Sequence, residues 1–272
     1  MLSVLYAALF GILEGVTEWL PVSSTGHLIL LDHFLVSPTR AAFFELFEVV
    51  IQLAAIGAVM VTYFEKLNPL AKHRSPAERR DTWRLWGLVA LATLPSAVVG
   101  FFLDDFLEER LFTPTVVACA LILYGFAFIL LEIRRKPTPS EGQITKKTAL
   151  GVGCFQVLAL IPGTSRSGAT MLGGALVGLS RERAAEFSFF LAIPTMLGAS
   201  ALKCVKFLWE GNTLLQEEMM MLAAGALTAF LVSLVTIRFL MNFVKRHGFF
   251  SFGIYRILLG IAVLFTLIPT KG

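Results

Sequence analysis

The sequence predicts an all-α polytopic membrane protein: an inverted-topology repeat of about six transmembrane helices and two re-entrant helical hairpins. Three observations carry this. Of the 272 residues, 56% are hydrophobic and only 15% charged, against roughly 25% charged in a soluble domain. The apolar residues fall in runs of spanning length, separated by short basic or acidic loops. Two further apolar runs are too short to cross and lead into polar tips. A soluble core with its polar surface, a disordered chain, a coiled coil and a disulfide scaffold are excluded on composition. The 24 Phe and 22 Gly with only 4 Tyr fit lipid-facing helices better than an alternating β-barrel. Net charge is +4, but the basic residues sit in loops between apolar runs, so they read as topology signals rather than a nucleic-acid surface. Cys119, Cys154 and Cys204 lie in apolar stretches without metal or disulfide spacing. The apolar N-terminus lacks a basic region and a small-residue cleavage site, so it does not read as a removed signal peptide.

About 20 apolar residues cross roughly 30 Å of hydrocarbon. The segments 44–64, 86–103, 114–132, 185–208, 219–240 and 252–270 meet that length approximately. Residues 1–13 do not: Glu14 and Glu18 follow, then Ser23-Ser24-Thr25-Gly26-His27 and a short return arm. Residues 149–161 repeat the pattern and lead into Pro162-Gly163-Thr164-Ser165-Arg166-Ser167-Gly168. Non-helical backbone at membrane depth is tolerated only inside protein or along a wet cavity. Loops 65–84 and 134–147 and the turn Lys245-Arg246-His247 are basic and go to the cytoplasm; the acidic loops 104–110 and 210–218 go outside, with both termini.

A shift of 141 positions aligns Pro21 with Pro162, Ser24 with Ser165, Arg40 with Arg181, Glu45 with Glu186 and Gly57-Ala58 with Gly198-Ala199, among ten identities in 43 positions. Shared apolar composition would give about three or four. The chain is therefore one integral membrane domain, residues 1–272, with repeat one about 1–132 and repeat two about 148–272. Three crossings separate the copies, which inverts the second and places the tips 21–27 and 162–168 together near the midplane.

Glu14 and Glu18 are four apart and share a helix face. With Arg166 they cost roughly 9 kcal/mol in hydrocarbon before pairing, which a scaffold would avoid with Leu. They read as a divalent-metal site or a general base beside a bound anion, against a bare ion pair stapling the hairpins. His27 has the side chain suited to proton transfer near neutrality. Ser24 is a nucleophile activated by His27 or a phosphate ligand, with Ser23 and Thr25 beside it as further hydroxyls, unless these only cap a helix. Arg166 presents a planar fork to phosphate oxygens. Ser165, Ser167 and Thr170 add hydroxyls, and Gly163 and Gly168 open the backbone to an anion at a helix start. Glu45, Glu48, Gln52 and Glu186 are candidates for outer support, and Gln156 for the same cavity. His33, His73 and His247 take no site role.

At Glu14-Gly15-Val16-Thr17-Glu18-Trp19-Leu20-Pro21-Val22-Ser23-Ser24-Thr25-Gly26-His27 and Pro162-Gly163-Thr164-Ser165-Arg166-Ser167-Gly168-Ala169-Thr170 the chain closely resembles the bacterial undecaprenyl-pyrophosphate phosphatases of the bacitracin-resistance type. Glu48-Val49-Val50-Ile51-Gln52-Leu53 and Glu186-Phe187-Ser188-Phe189 add to it, and the likeness covers nearly the whole chain. The resemblance implies hydrolysis of undecaprenyl pyrophosphate to the monophosphate and phosphate, recycling the lipid carrier for peptidoglycan. It implies a divalent cation, Mg²⁺ or Ca²⁺, at Glu14 and Glu18; catalytic roles for Glu18, Ser24, His27 and Arg166; and phosphate binding by Ser165, Ser167 and Thr170, to which the hydroxyl run adds Ser23 and Thr25 as expected phosphate ligands. It implies a multi-pass protein of the bacterial inner membrane whose site opens to the periplasm, with a polyprenyl pyrophosphate lipid and the bilayer as partners and no nucleic acid. A homodimer is compatible with the chain. Ser24, His27 and a water all stay open as the attacking group. The rival reading is a transporter or flippase for an anionic polyprenyl phosphate headgroup, whose architecture would look the same.

Overall fold

The computed structural model describes residues 2–35, 39–134 and 142–267. All regular structure among them is helical. Six helices are long and apolar enough to cross a membrane: Ala41–Thr62, Pro76–Leu103 within a longer helix, Pro114–Arg134, Arg181–Trp209, Gln216–His247 and Phe250–Leu267. The protein is thus the all-α, multi-pass membrane protein that its composition predicts.

In chain order, α1 (Leu2–Thr17) and α2 (Ser24–Phe34) form the first hairpin, followed by α3 (Ala41–Thr62), the single turn α4 (Phe64–Leu67), α5 (Pro76–Leu111) and α6 (Pro114–Arg134). The second hairpin is α7 (Lys146–Val157), a 3₁₀ turn at Leu158–Leu160, and α8 (Arg166–Leu176). Then come α9 (Arg181–Trp209), α10 (Gln216–His247) and α11 (Phe250–Leu267). The sequence-based spans differ mainly at their ends. The stretch expected as an acidic loop at 104–110 continues α5 to Leu111. Hydropathy marks where a segment stops being apolar, whereas backbone hydrogen bonding carries a helix on into the interface. Residues 135–141 of the expected basic loop, the end of the last expected span, and Val36 lie outside the described residues.

The short arm α1 lies along α10, and the short arm α7 along α5. Both approaches depend on glycine. A Cβ on Gly11 would fall 2.3 Å from the Gly225 carbonyl oxygen, and one on Gly153 2.3 Å from that of Ala92. Such close backbone contact is how helices associate where lipid supplies no hydrophobic drive. α3 packs on both α9 and α10, while α6 and α11 pack on one another. The main core gathers at the inner ends of the hairpins, around Trp19, Ile56, Val89, Phe187, Phe189 and Phe190.

The hairpin tips share a backbone device. Ser23 (φ 78°) and Ser165 (φ 68°) are the non-glycine residues with positive φ among the described residues. Each caps the helix that follows: the Gly26 N–H donates to Ser23 Oγ at 3.3 Å, and the Gly168 N–H to Ser165 Oγ at 3.1 Å. Helices α2 and α8 therefore start 142 residues apart, one more than the ungapped sequence shift. Left-handed backbone at a non-glycine residue costs on the order of 1–3 kcal/mol and concentrates at working sites.

Candidate active site

The two tips meet. Ser167 on the second donates its hydroxyl to the Leu20 carbonyl on the first at 3.2 Å. Glu18, in the turn after α1, accepts from Arg166 at the first residue of α8: Nη2 to Oε1 is 2.5 Å. The partners are 148 residues apart, with side chains only 7% and 11% exposed. Arg166 Nη1 donates to the Ser188 carbonyl on α9 at 3.0 Å, and the guanidinium lies 5.7 Å from the Trp19 ring centroid. Its Nε is buried without a hydrogen-bond partner. A planar fork held by a carboxylate, a carbonyl and an aromatic face is fixed in orientation, and the Nε N–H is among the donors left for an incoming oxygen.

The hydroxyls divide into two groups. Ser24 donates to Glu18 Oε2 at 3.3 Å, on the same carboxylate that Arg166 holds. Thr25, half-buried, sits beside it in the first turn of α2. Ser23, Ser165 and Thr170 have structural partners: Ser23 caps α2, Ser165 caps α8 and lies 3.1 Å from the Ser167 hydroxyl, and Thr170 donates back to the Arg166 carbonyl at 2.8 Å. Thr170 Oγ1 is also 2.6 Å from the Ser188 hydroxyl, a buried pair one turn behind Arg166.

His27 does not pair with Ser24. Its Nδ1 lies 2.7 Å from the Ser23 carbonyl oxygen and its Nε2 2.7 Å from the hydroxyl of Tyr255 on α11. Of the readings open for Ser24, direct activation by His27 has no contact behind it: Ser24 meets Glu18, and His27 meets Tyr255. Three residues apart on a helix, Ser24 and His27 share a face, but each finds its partner in a different element.

Glu14 is completely buried, and neither carboxylate oxygen has a hydrogen-bond partner. Its charged neighbours are Glu18, Glu48 on α3, and Arg166. A buried carboxylate without a hydrogen-bond partner costs several kcal/mol, so the position suits a group that binds a cation. No set of three or more His, Cys, Asp or Glu is placed to hold a metal among the described residues. A Mg²⁺-like ion held by one or two carboxylates, its shell completed by phosphate oxygens and water, needs no more than this.

The outer candidates fare differently. Gln156 donates to Ser96 on α5 at 2.5 Å and to Thr195 on α9 at 3.1 Å, so its amide bridges those helices instead of serving the tips. Each partner directly follows an intrahelical proline, Pro95 or Pro194. Glu186 pairs with Lys66 at 2.7 Å, Glu45 is exposed, and Gln52 is half-buried on α3.

Sequence reading missed Arg256. Fully buried on α11, it donates to the Pro21 carbonyl at 3.2 Å on one tip, and to the Gly163 and Thr164 carbonyls at 2.9 Å each on the other. Its guanidinium lies 5.6 Å from the Tyr124 ring centroid on α6. The available signal was a lone Arg inside an apolar span, which is a functional candidate by default. Arg256→Ala is expected to lower the thermal midpoint in detergent sharply, because each carbonyl left without a donor costs about 1–3 kcal/mol. An unchanged midpoint would mean the tips hold together without it.

Comparison with known proteins shows the family of the chain. The family model for bacitracin resistance protein BacA matches residues 7–262. The chain belongs to the BacA family. Curated relatives named undecaprenyl-diphosphatase include those of Enterococcus faecalis, 51% identical over 95% of both chains, and Streptococcus thermophilus, 52% identical over 97% of this chain and 93% of that one. Another, from Lactiplantibacillus plantarum, is 50% identical over 98% of this chain and all of the relative. The BacA match covers both hairpin tips and the site residues on them, with Tyr255 and Arg256.

Proposed function

We propose that this protein is an undecaprenyl-diphosphatase. It hydrolyses undecaprenyl pyrophosphate to the monophosphate and inorganic phosphate, freeing the lipid carrier for another round of peptidoglycan synthesis. One observation carries the reading most directly. A buried Arg166–Glu18 contact joins two polar tips, and a serine hydroxyl sits on the same carboxylate. Family membership and the names of relatives about half identical to this chain support it.

The residues divide the work as follows. The pyrophosphate enters at the tips with its polyprenyl tail in the bilayer. Arg166 turns its Nε, and in exchange with Glu18 its Nη2, towards the phosphoryl oxygens and neutralises charge building there. Thr25, Ser165 and Ser167 line the tips as further hydroxyls, Ser167 reaching the substrate as a donor by exchanging its bond to the Leu20 carbonyl. Glu18 is the base beside Ser24 and takes the proton of the attacking oxygen, whether that oxygen is Ser24 Oγ or a water at its place. His27 is the second acid–base group, about one turn along α2 from Ser24 and held at α11 by Tyr255. Glu14 and Glu18 would hold a divalent cation, Mg²⁺ or Ca²⁺, which would supply Lewis-acid polarisation of the phosphate oxygens.

The two halves, about 1–132 and 148–272, are read as inverted copies, which supports a site at mid-depth between them. The matching serine caps, the glycine contacts 142 residues apart and the reciprocal packing of α1 on α10 and α7 on α5 all favour this. The site is assigned to the periplasmic side of the bacterial inner membrane, from the basic loops on the other side. The test is phosphate release from a polyprenyl pyrophosphate by purified protein in detergent, with and without EDTA. Release that stops with EDTA and returns with Mg²⁺ or Ca²⁺ is expected. Binding of the lipid without release by folded protein would overturn the reading.

A further inference from the structure

We infer that Tyr255 is a positioning residue for the hydrolysis: its hydroxyl holds the His27 ring and fixes Nε2 as that ring's proton-accepting atom. The inference rests on the phosphatase reading. A carbonyl oxygen can only accept, so the 2.7 Å contact between His27 Nδ1 and the Ser23 carbonyl requires a hydrogen on Nδ1. In the neutral ring the lone pair is then on Nε2, and the Tyr255 hydroxyl 2.7 Å away donates to it. The rings are nearly parallel, 11° between planes with centroids 5.6 Å apart, so stacking also limits rotation of the imidazole.

The Ser23 carbonyl belongs to the residue with left-handed backbone that begins α2. The cap geometry of the first tip therefore aims the carbonyl that selects the tautomer. Tyr255 comes from the far end of the chain, next to Arg256, which holds the backbone of the same tip through Pro21. Adjacent residues on α11 thus fix the tip and the imidazole. The tautomer also settles direction: the basic nitrogen of His27 points at α11, while Ser24 points at Glu18. The proton His27 exchanges passes at the Tyr255 end of the ring, away from the Ser24 hydroxyl.

The test compares Tyr255→Phe, which keeps the stacked ring and removes the hydroxyl, with Tyr255→Ala, which removes both. Protein with ¹⁵N-labelled histidine in detergent contains His27, His33, His73 and His247, and a His27→Gln sample identifies the His27 signals. Expected for wild type are a hydrogen on Nδ1 and a hydrogen-bonded, unprotonated Nε2. Tyr255→Phe should keep the Nδ1 proton, shift the Nε2 resonance towards a free lone pair, and lower kcat about tenfold with little change in KM. Tyr255→Ala should also mix the two tautomers. Unchanged Nε2 resonance and kcat in Tyr255→Phe would overturn the inference, as would a hydrogen on Nε2 alone in wild type. If wild type releases no phosphate, the phosphatase reading fails by itself, and the proposal falls with it as a catalytic role. The resonances then show only whether the tyrosine holds the ring.

Discussion

Arg166→Ala is expected to lower kcat for phosphate release by about 10²–10³-fold, the usual consequence of removing one fixed donor from a developing oxyanion. The guanidinium sits where both tips converge, held by Glu18 Oε1, the Ser188 carbonyl and the Trp19 face, with Nε still without a partner. Arg166→Lys should recover only part of the loss, because an ammonium restores charge but not the planar fork. The Glu18 contact predicts non-additivity: Glu18→Gln with Arg166→Ala should lose much less than the sum of the two single changes. Removing one partner of a buried pair also destabilises, by about 3–5 kcal/mol, so thermal midpoints must be measured beside the rates. A folded Arg166→Ala protein with wild-type kcat would remove Arg166 from the chemistry and leave it a staple between hairpins.

Glu14→Gln should separate stability from activity. The substitution keeps shape and removes a charge whose two oxygens have no hydrogen-bond partner in a fully buried position. Thermal stability should hold or rise, since a neutral amide is cheaper to keep fully buried than a carboxylate. The rate measured against Mg²⁺ or Ca²⁺ concentration should shift at least about tenfold towards higher cation, and EDTA should silence wild type. Lower activity with an unchanged cation response would assign Glu14 to proton handling instead. Lower stability with unchanged activity would make it a structural residue. Glu18→Gln should differ, because Glu18 also meets Ser24 and Arg166 and its loss affects kcat even at saturating cation.

Much of the fold was legible because its signals are local. Run length and the positions of charged loops mark the six spans, and a 13-residue apolar run ending in Glu14 cannot cross. The polar runs around Ser24 and Arg166 identify the tips, since hydroxyls, a His and an Arg at that depth call for a reason. Helix ends were less legible: α5 runs to Leu111 and α10 to His247, past the points where hydropathy falls. Gln156 has the same composition-level credentials as a site residue, yet its amide lies between Ser96 and Thr195. Nothing in the local pattern distinguishes a polar residue facing a ligand from one that repairs helix packing beside a proline.

Six spans and two broken hairpins, with carboxylates and a Ser/His run on one tip and an Arg nest on the other, are readable along the chain. Those are properties of consecutive residues: apolar length, helical spacing and the cost of charge in hydrocarbon. The pairings come from the packing of the helices. Ser24 meets Glu18 and not His27; His27 meets Tyr255, 228 residues away; Glu14 stays without a hydrogen bond; and Arg256 reaches both tips, bonding carbonyls up to 235 residues distant. Hydrogen bonds act within about 3 Å and depend on direction, so which donor reaches which acceptor is set by how α2, α8 and α11 pack, a relation that no stretch of neighbouring residues contains.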